Sequence, residues 1–131
     1  MILKTFELNK IEDSAVFYLV YGKNEGLKTE CINKILSKND IKVFNYDEKQ
    51  IRDEIETFYE NILSNSLFES SKTIIINRAS EKIFDIIKDL VDRNLSNIKI
   101  IINAGILDTR SKLRSLFEKK KGFNLYTYLS R

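Results

Sequence analysis

The sequence predicts an α/β fold, a five-stranded parallel sheet with helices on both faces. Two observations carry that expectation. Short, nearly continuous apolar runs alternate along the chain with longer stretches whose apolar residues recur at helical spacing. The runs are rich in β-branched and aromatic residues, as strands covered on both faces require. Repeated β-α units of this kind build a parallel sheet, and strand twist makes their crossovers right-handed.

The elements follow in order. Val16, Phe17, Tyr18, Leu19, Val20 and Tyr21 form the first strand. Residues 25–37 form a helix with Leu27, Cys31 and Ile35 on one face. Residues 41–46 form a second, weaker strand. Asp47, with Gln50 three positions later, resembles a capping box opening a helix on Ile51, Ile55, Phe58 and Ile62. Residues 73–76 are the third strand, after which Ser80 caps a helix carrying Ile83, Ile87 and Leu90. Residues 98–102 are the fourth strand. Residues 109–121 form a last helix on Leu113, Leu116 and Phe117, stopped at Gly122, and residues 123–128 form the fifth strand. Residues 2–8 are a candidate short edge strand. With no repeat, linker or composition shift, residues 1–131 read as one domain.

Composition narrows the chemistry. At 43% hydrophobic and 31% charged, the chain has the balance of a folded globular protein rather than a disordered one. It holds no histidine, which removes the commonest general base, the commonest metal ligand and every Ser-His or Cys-His nucleophile pair. Cys31 stands alone and reads as apolar filler, consistent with a reducing cytoplasm. No apolar stretch is long enough to span a membrane and no secretory signal is apparent, so a cytoplasmic location is expected. The net charge of +3 is too mild to argue for nucleic acid by itself.

Ligands of open parallel sheets sit beyond the carboxyl ends of the strands, so the strand-ending loops come first. After strand one the chain reads Gly22, Lys23, Asn24, Glu25, Gly26, Leu27, Lys28, Thr29. Against the phosphate-loop pattern G-x-x-x-x-G-K-[ST], Gly22, Lys28 and Thr29 fall in register, but Leu27 replaces the second glycine. A side chain there crowds the phosphates and disfavours the loop's backbone angles. Strands three and four end in Ile76, Asn77, Arg78 and Ile102, Asn103, Ala104, offering no carboxylate for Mg²⁺. The loop therefore reads as a degenerate phosphate loop: Gly22 turns the chain, Asn24 caps the helix and Leu27 packs on the sheet. No nucleotide, metal or other cofactor is expected, and no catalytic residue. The alternative is a degenerate nucleotide-binding enzyme, kinase- or NTPase-like, holding nucleotide on Lys28 and Thr29.

Before strand three, small polar residues surround two bulky neighbours: Ser64, Asn65, Ser66, Leu67, Phe68, Glu69, Ser70, Ser71. Leu67 and Phe68 either fold back onto the core or stand out as an apolar plug for a partner. Composition alone favours the first. The last helix carries Arg110, Lys112, Arg114, Lys119, Lys120 and Lys121. Such a run is ordinarily a solvated face, and DNA contact at Lys119, Lys120 and Lys121 is the sharper alternative.

Several segments taken together resemble the delta subunit of the bacterial DNA polymerase III clamp loader. They are Tyr18, Leu19, Val20, Tyr21, Gly22 before a helix without a working phosphate loop, then Ser66, Leu67, Phe68 before a strand. The third is Leu107, Asp108, Thr109, Arg110, Ser111, Lys112, Leu113, Arg114 after strand four. Their order and spacing hold over nearly the whole chain. The resemblance implies an AAA+-like N-terminal domain without ATP activity, with strand order 5-1-4-3-2. It implies that Leu67 and Phe68, with Ser66 beside them, form the plug that enters the hydrophobic pocket of the beta sliding clamp. It reverses the preference for fold-back. It further implies a component of the polymerase holoenzyme, with no catalysis of its own, that opens the clamp ring for loading onto primed DNA. Helical-lid and collar domains, which join the other loader subunits, would lie beyond residue 131.

Overall fold

The computed structural model describes residues 2–3, 17–36, 42–65, 72–93, 98–119 and 124–128. Strand β1 is Ile2–Leu3, β2 Phe17–Gly22, β3 Lys42–Asp47, β4 Lys72–Ala79, β5 Ile98–Ala104 and β6 Asn124–Tyr128. The helices are α1 Glu25–Ile35, α2 Glu48–Asp53, α3 Ile55–Asn65, α4 Phe84–Asp92 and α5 Lys112–Lys119, with a 3-10 turn at Glu81–Ile83. The strands form one sheet in the order β1-β6-β2-β5-β4-β3, and every pairing is parallel. Its centre is β2-β5-β4-β3, four strands in the relative order foreseen from the sequence. The count of five is corrected: among the described residues the sheet has six strands, with β6 beside β2 and the two-residue β1 beyond it.

Strict alternation along the central strands divides the core. Phe17, Leu19 and Tyr21 of β2, Ile74 and Ile76 of β4, and Ile100 and Ile102 of β5 face one side. There they pack against Ile51, Phe58, Ile62, Ile87, Leu90, Leu113 and Phe117 from α2–α5. Tyr18, Val20, Ile75 and Ile101 face the other side, where α1 covers them with Cys31, Ile32 and Ile35. Because side chains alternate with period two, an unbroken apolar strand serves both layers. Each large core side chain contributes about 1.5–3 kcal/mol on burial.

Three local expectations need correcting. Asp47 is the N-cap residue of α2 but makes no side-chain cap bond, because its carboxylate is taken by Arg78. The helix foreseen on Ile51, Ile55, Phe58 and Ile62 is two helices, broken where Glu54 leaves helical angles (φ −129°, ψ 54°). Apolar spacing runs straight through that break, so periodicity could not show it. The last helix begins at Lys112, not at residue 109, since Asp108 first makes a turn. Its Oδ1 accepts from Arg110 N at 2.9 Å and its carbonyl from Ser111 N at 3.1 Å. The stop foreseen at Gly122 lies outside the described residues.

Candidate functional site

At the carboxyl edge of the sheet, where a parallel fold places its ligands, backbone hydrogen bonds tie the strand-ending loops to one another. Gly22 ends β2 at φ 128°, a conformation that only glycine takes without strain, and so turns the chain toward α1. Its N–H donates to Gly105 O at 3.0 Å, and Gly105 N donates to Ala79 O at 3.4 Å. The loops after β2, β5 and β4 are thereby tied in sequence. Asn24 caps α1, its side chain accepting from Leu27 N at 3.0 Å. Leu27 is half-buried against the α1 core. These are the roles read from the sequence for Gly22, Asn24 and Leu27.

Lys28 stands where a phosphate loop keeps its lysine, yet it is only 2% exposed. Its Nζ donates to Ala104 O at 2.8 Å and lies 3.0 Å from Glu25 Oε2. A buried ammonium needs such partners, and here they fasten α1 to the end of β5. Thr29, next in the pattern, is exposed. The loop groups that would hold phosphate oxygens are thus occupied within the protein at Gly22 N, Leu27 N and Lys28 Nζ. Glu25 adds a negative charge at the same place.

Beside Lys28 lies a polar cleft of about 460 Å³ lined by Glu25, Asp47, Asn77, Arg78 and Asn103, among others. Several of these escaped the sequence reading. Arg78 has φ 53° where the β4–β5 register shifts, and it donates to Asp47 Oδ2 from Nη2 at 2.9 Å and Nε at 3.2 Å. Asn103 donates to Asn77 and Asn77 to Asn45, at 3.2 and 3.1 Å, forming a rung across three strands. The signal was present, since an asparagine at the end of each of three predicted strands must meet its neighbours in a parallel sheet. Below the cleft, buried Glu48 accepts from Ser80 N at 2.7 Å and from the Ser80 hydroxyl. Ser80 caps the 3-10 turn in front of α4 through Lys82 N at 3.3 Å.

The helical layer is braced by charge. Tyr59 of α3 donates to Asp89 of α4 at 2.8 Å, while Arg93 pairs with Asp89 at 2.8 Å and covers the Tyr59 ring. Burial first, then the Asp89 bond, pushes the Tyr59 phenol up to about 12. The bonds from Arg93 and then Tyr59 hold the Asp89 carboxyl below its usual range. Arg114, grouped by sequence with the exposed basic residues of the last helix, is turned inward. It donates to Leu107 O at 3.2 Å and stacks over the Tyr21 ring at 5.0 Å. Lys119 is exposed at the end of α5, whereas Lys120 and Lys121 lie outside the described residues. So do Ser66, Leu67 and Phe68, which fall between the end of α3 at Asn65 and the start of β4 at Lys72. Among the described residues no cluster of metal-ligating side chains occurs, and no helix is long and apolar enough to cross a membrane.

Compared with known proteins, residues 18–123 match the family model described as DNA polymerase III, delta subunit. No curated protein matches the chain.

Proposed function

Because this chain belongs to the DNA polymerase III delta-subunit family, whose role is clamp loading in replication, we propose that it grips the sliding clamp through Leu67 and Phe68. The family match carries this reading. The frame around the plug segment supports it: α3 enters the segment, β4 leaves it, and Lys72 Nζ donates to Asn61 O at 2.7 Å. Residues 66–71 thus fall in sequence between two elements that are braced to each other. Full burial of a leucine and a phenylalanine is worth about 3–6 kcal/mol together, before association costs.

In this reading residues 1–131 form an AAA+-like clamp-binding domain without catalysis, in keeping with the parallel order β6-β2-β5-β4-β3. It works in the cytoplasm as a part of the polymerase holoenzyme. Its partners are the beta clamp, the other loader subunits, and DNA through the assembled loader. The domain opens the ring only by as much as it prefers the open shape to the closed one. ATP chemistry belongs to other loader subunits. The internal occupation of Lys28, Gly22 N and Leu27 N supports that division and weighs against the nucleotide-binding alternative.

The test is calorimetric titration of the cognate clamp with the wild type and with Leu67→Ala/Phe68→Ala. The double variant is expected to lose at least about a hundredfold in affinity while melting normally. Unchanged affinity defeats the reading. Equilibrium dialysis with Mg-ATP, expected to show no retention, separates it from the enzyme alternative.

A further inference from the structure

The sheet ends in two unlike edges. At one, β1 is only two residues long, Ile2–Leu3. At the other, β3 runs for six residues, Lys42–Asp47, and among the described residues its backbone pairs with β4 alone. An edge strand leaves the N–H and C=O of alternate residues without ladder partners, and folded proteins commonly blunt it with proline, a bulge or charge along its length. None of these protects β3. The chain holds no proline, the β3–β4 register runs unbroken from Lys42 to Asp47, and the strand is charged only at those two ends. Its middle is Val43, Phe44, Asn45 and Tyr46. Val43 packs partly against the α1 layer and Tyr46 partly against the α2–α5 layer. Phe44 shares the Tyr46 side by alternation, yet it is 40% exposed.

We propose that two copies of this chain pair their β3 strands antiparallel, about a two-fold axis at Asn45, and so join their sheets into one. The strand is its own match in that register. Directly opposite side chains share a face, so Phe44 of each copy meets Tyr46 of the other on the α2–α5 side. Two aromatic cross-strand pairs then cover the exposed rings. Val43 meets Asp47, whose charge Arg78 already neutralises at 2.9 Å, so no unpaired charge enters the seam. Centring the axis on Phe44 instead gives one aromatic pair rather than two. A strand of another protein could fill the same ladder, but β3 supplies matching side chains from its own sequence. The contact is isologous and closes at two copies, which removes the open edge instead of propagating it. It uses neither Leu67 and Phe68 nor the residues around Lys28, and stands apart from the clamp-binding reading.

The experiment is sedimentation velocity of the chain, in which monomer is expected to give way to dimer between about 1 and 200 μM, the range of a small contact. Phe44→Glu should weaken association at least about tenfold by putting charge on the edge. It should melt like the wild type, because Lys72 Nζ, 5.3 Å from the Phe44 ring centre, stands ready to pair with the carboxylate. Cysteines read the register. Opposite Cα atoms of an antiparallel pair are about 4.5–5.5 Å apart, within disulfide reach, so Asn45→Cys should cross-link two copies under mild oxidant. Val43→Cys lies about 13 Å along the strand from its counterpart and should not. Cys31 is buried, so the wild type should stay uncross-linked. Leu67→Ala/Phe68→Ala should leave the dimer intact, so this proposal and the clamp-binding reading fail separately. A monomer at every concentration overturns the proposal, as does a dimer that survives Phe44→Glu or dissolves with the Leu67/Phe68 variant. Cross-linking through Val43→Cys, or none through Asn45→Cys, overturns it too.

Discussion

Two regions of this molecule hold basic side chains where an anion could sit, and they use them in opposite ways. At the carboxyl edge of the sheet, Lys28 is 2% exposed and its ammonium is shared between Ala104 O and Glu25. Arg78 is likewise committed to Asp47. Along α5, Lys112 and Lys119 stand in solvent with no carboxylate beside them among the described residues. A cation already satisfied within the protein is a brace, whereas one left to water remains available to a ligand. In a fold whose phosphate-loop cation is engaged this way, binding surfaces are to be sought on its connectors and helical face as well.

Direct substitution of the two lysines gives the sharpest contrast. Lys28→Ala removes a buried donor and leaves Ala104 O unmatched, so urea unfolding should show a loss of about 2–3 kcal/mol. Lys112→Ala should leave the urea midpoint in place. Equal midpoints for the two variants would break the distinction between brace and free cation.

The next effect concerns the start of α5. Glu81→Ala strips a carboxylate from Lys112 N, Leu113 N and the Ser111 hydroxyl, and should cost about 1–2 kcal/mol in thermal unfolding. Asn24→Ala should cost about 1 kcal/mol by removing the α1 cap. It should gain no ATP retention in dialysis, since Lys28 stays engaged.

The smallest effect is one of pH. Tyr59 has its phenol raised from an ordinary 10.0 to about 12. A group raised on folding adds stability that is complete below its unfolded value and lost as pH climbs through its folded one. The Tyr59 contribution should therefore disappear between pH 10.0 and about 12. Tyr59→Phe should lower stability by about 0.5–1 kcal/mol near neutrality and remove this alkaline loss, as melting curves across pH would record. Asp89, whose carboxyl is lowered, acts at the other end: its stabilising share is present above the ordinary 3.8 and fades as pH falls through its lower folded value.

The sequence by itself determined the α/β class, the relative order of the central strands through its resemblance, and the roles of Gly22, Asn24 and Leu27. Each of these is local or periodic: an apolar run, a turn that only glycine makes freely, a side chain within three residues of the amide it caps. Tertiary structure decided the rest. It broke one apolar stripe into α2 and α3, drew Asp47 from a cap to Arg78 and turned Arg114 inward. It also converted a lysine in phosphate-loop register into a strut. In each of the last three cases the outcome depended on which distant group lay within about 3 Å once strands had paired, a distance no local pattern encodes.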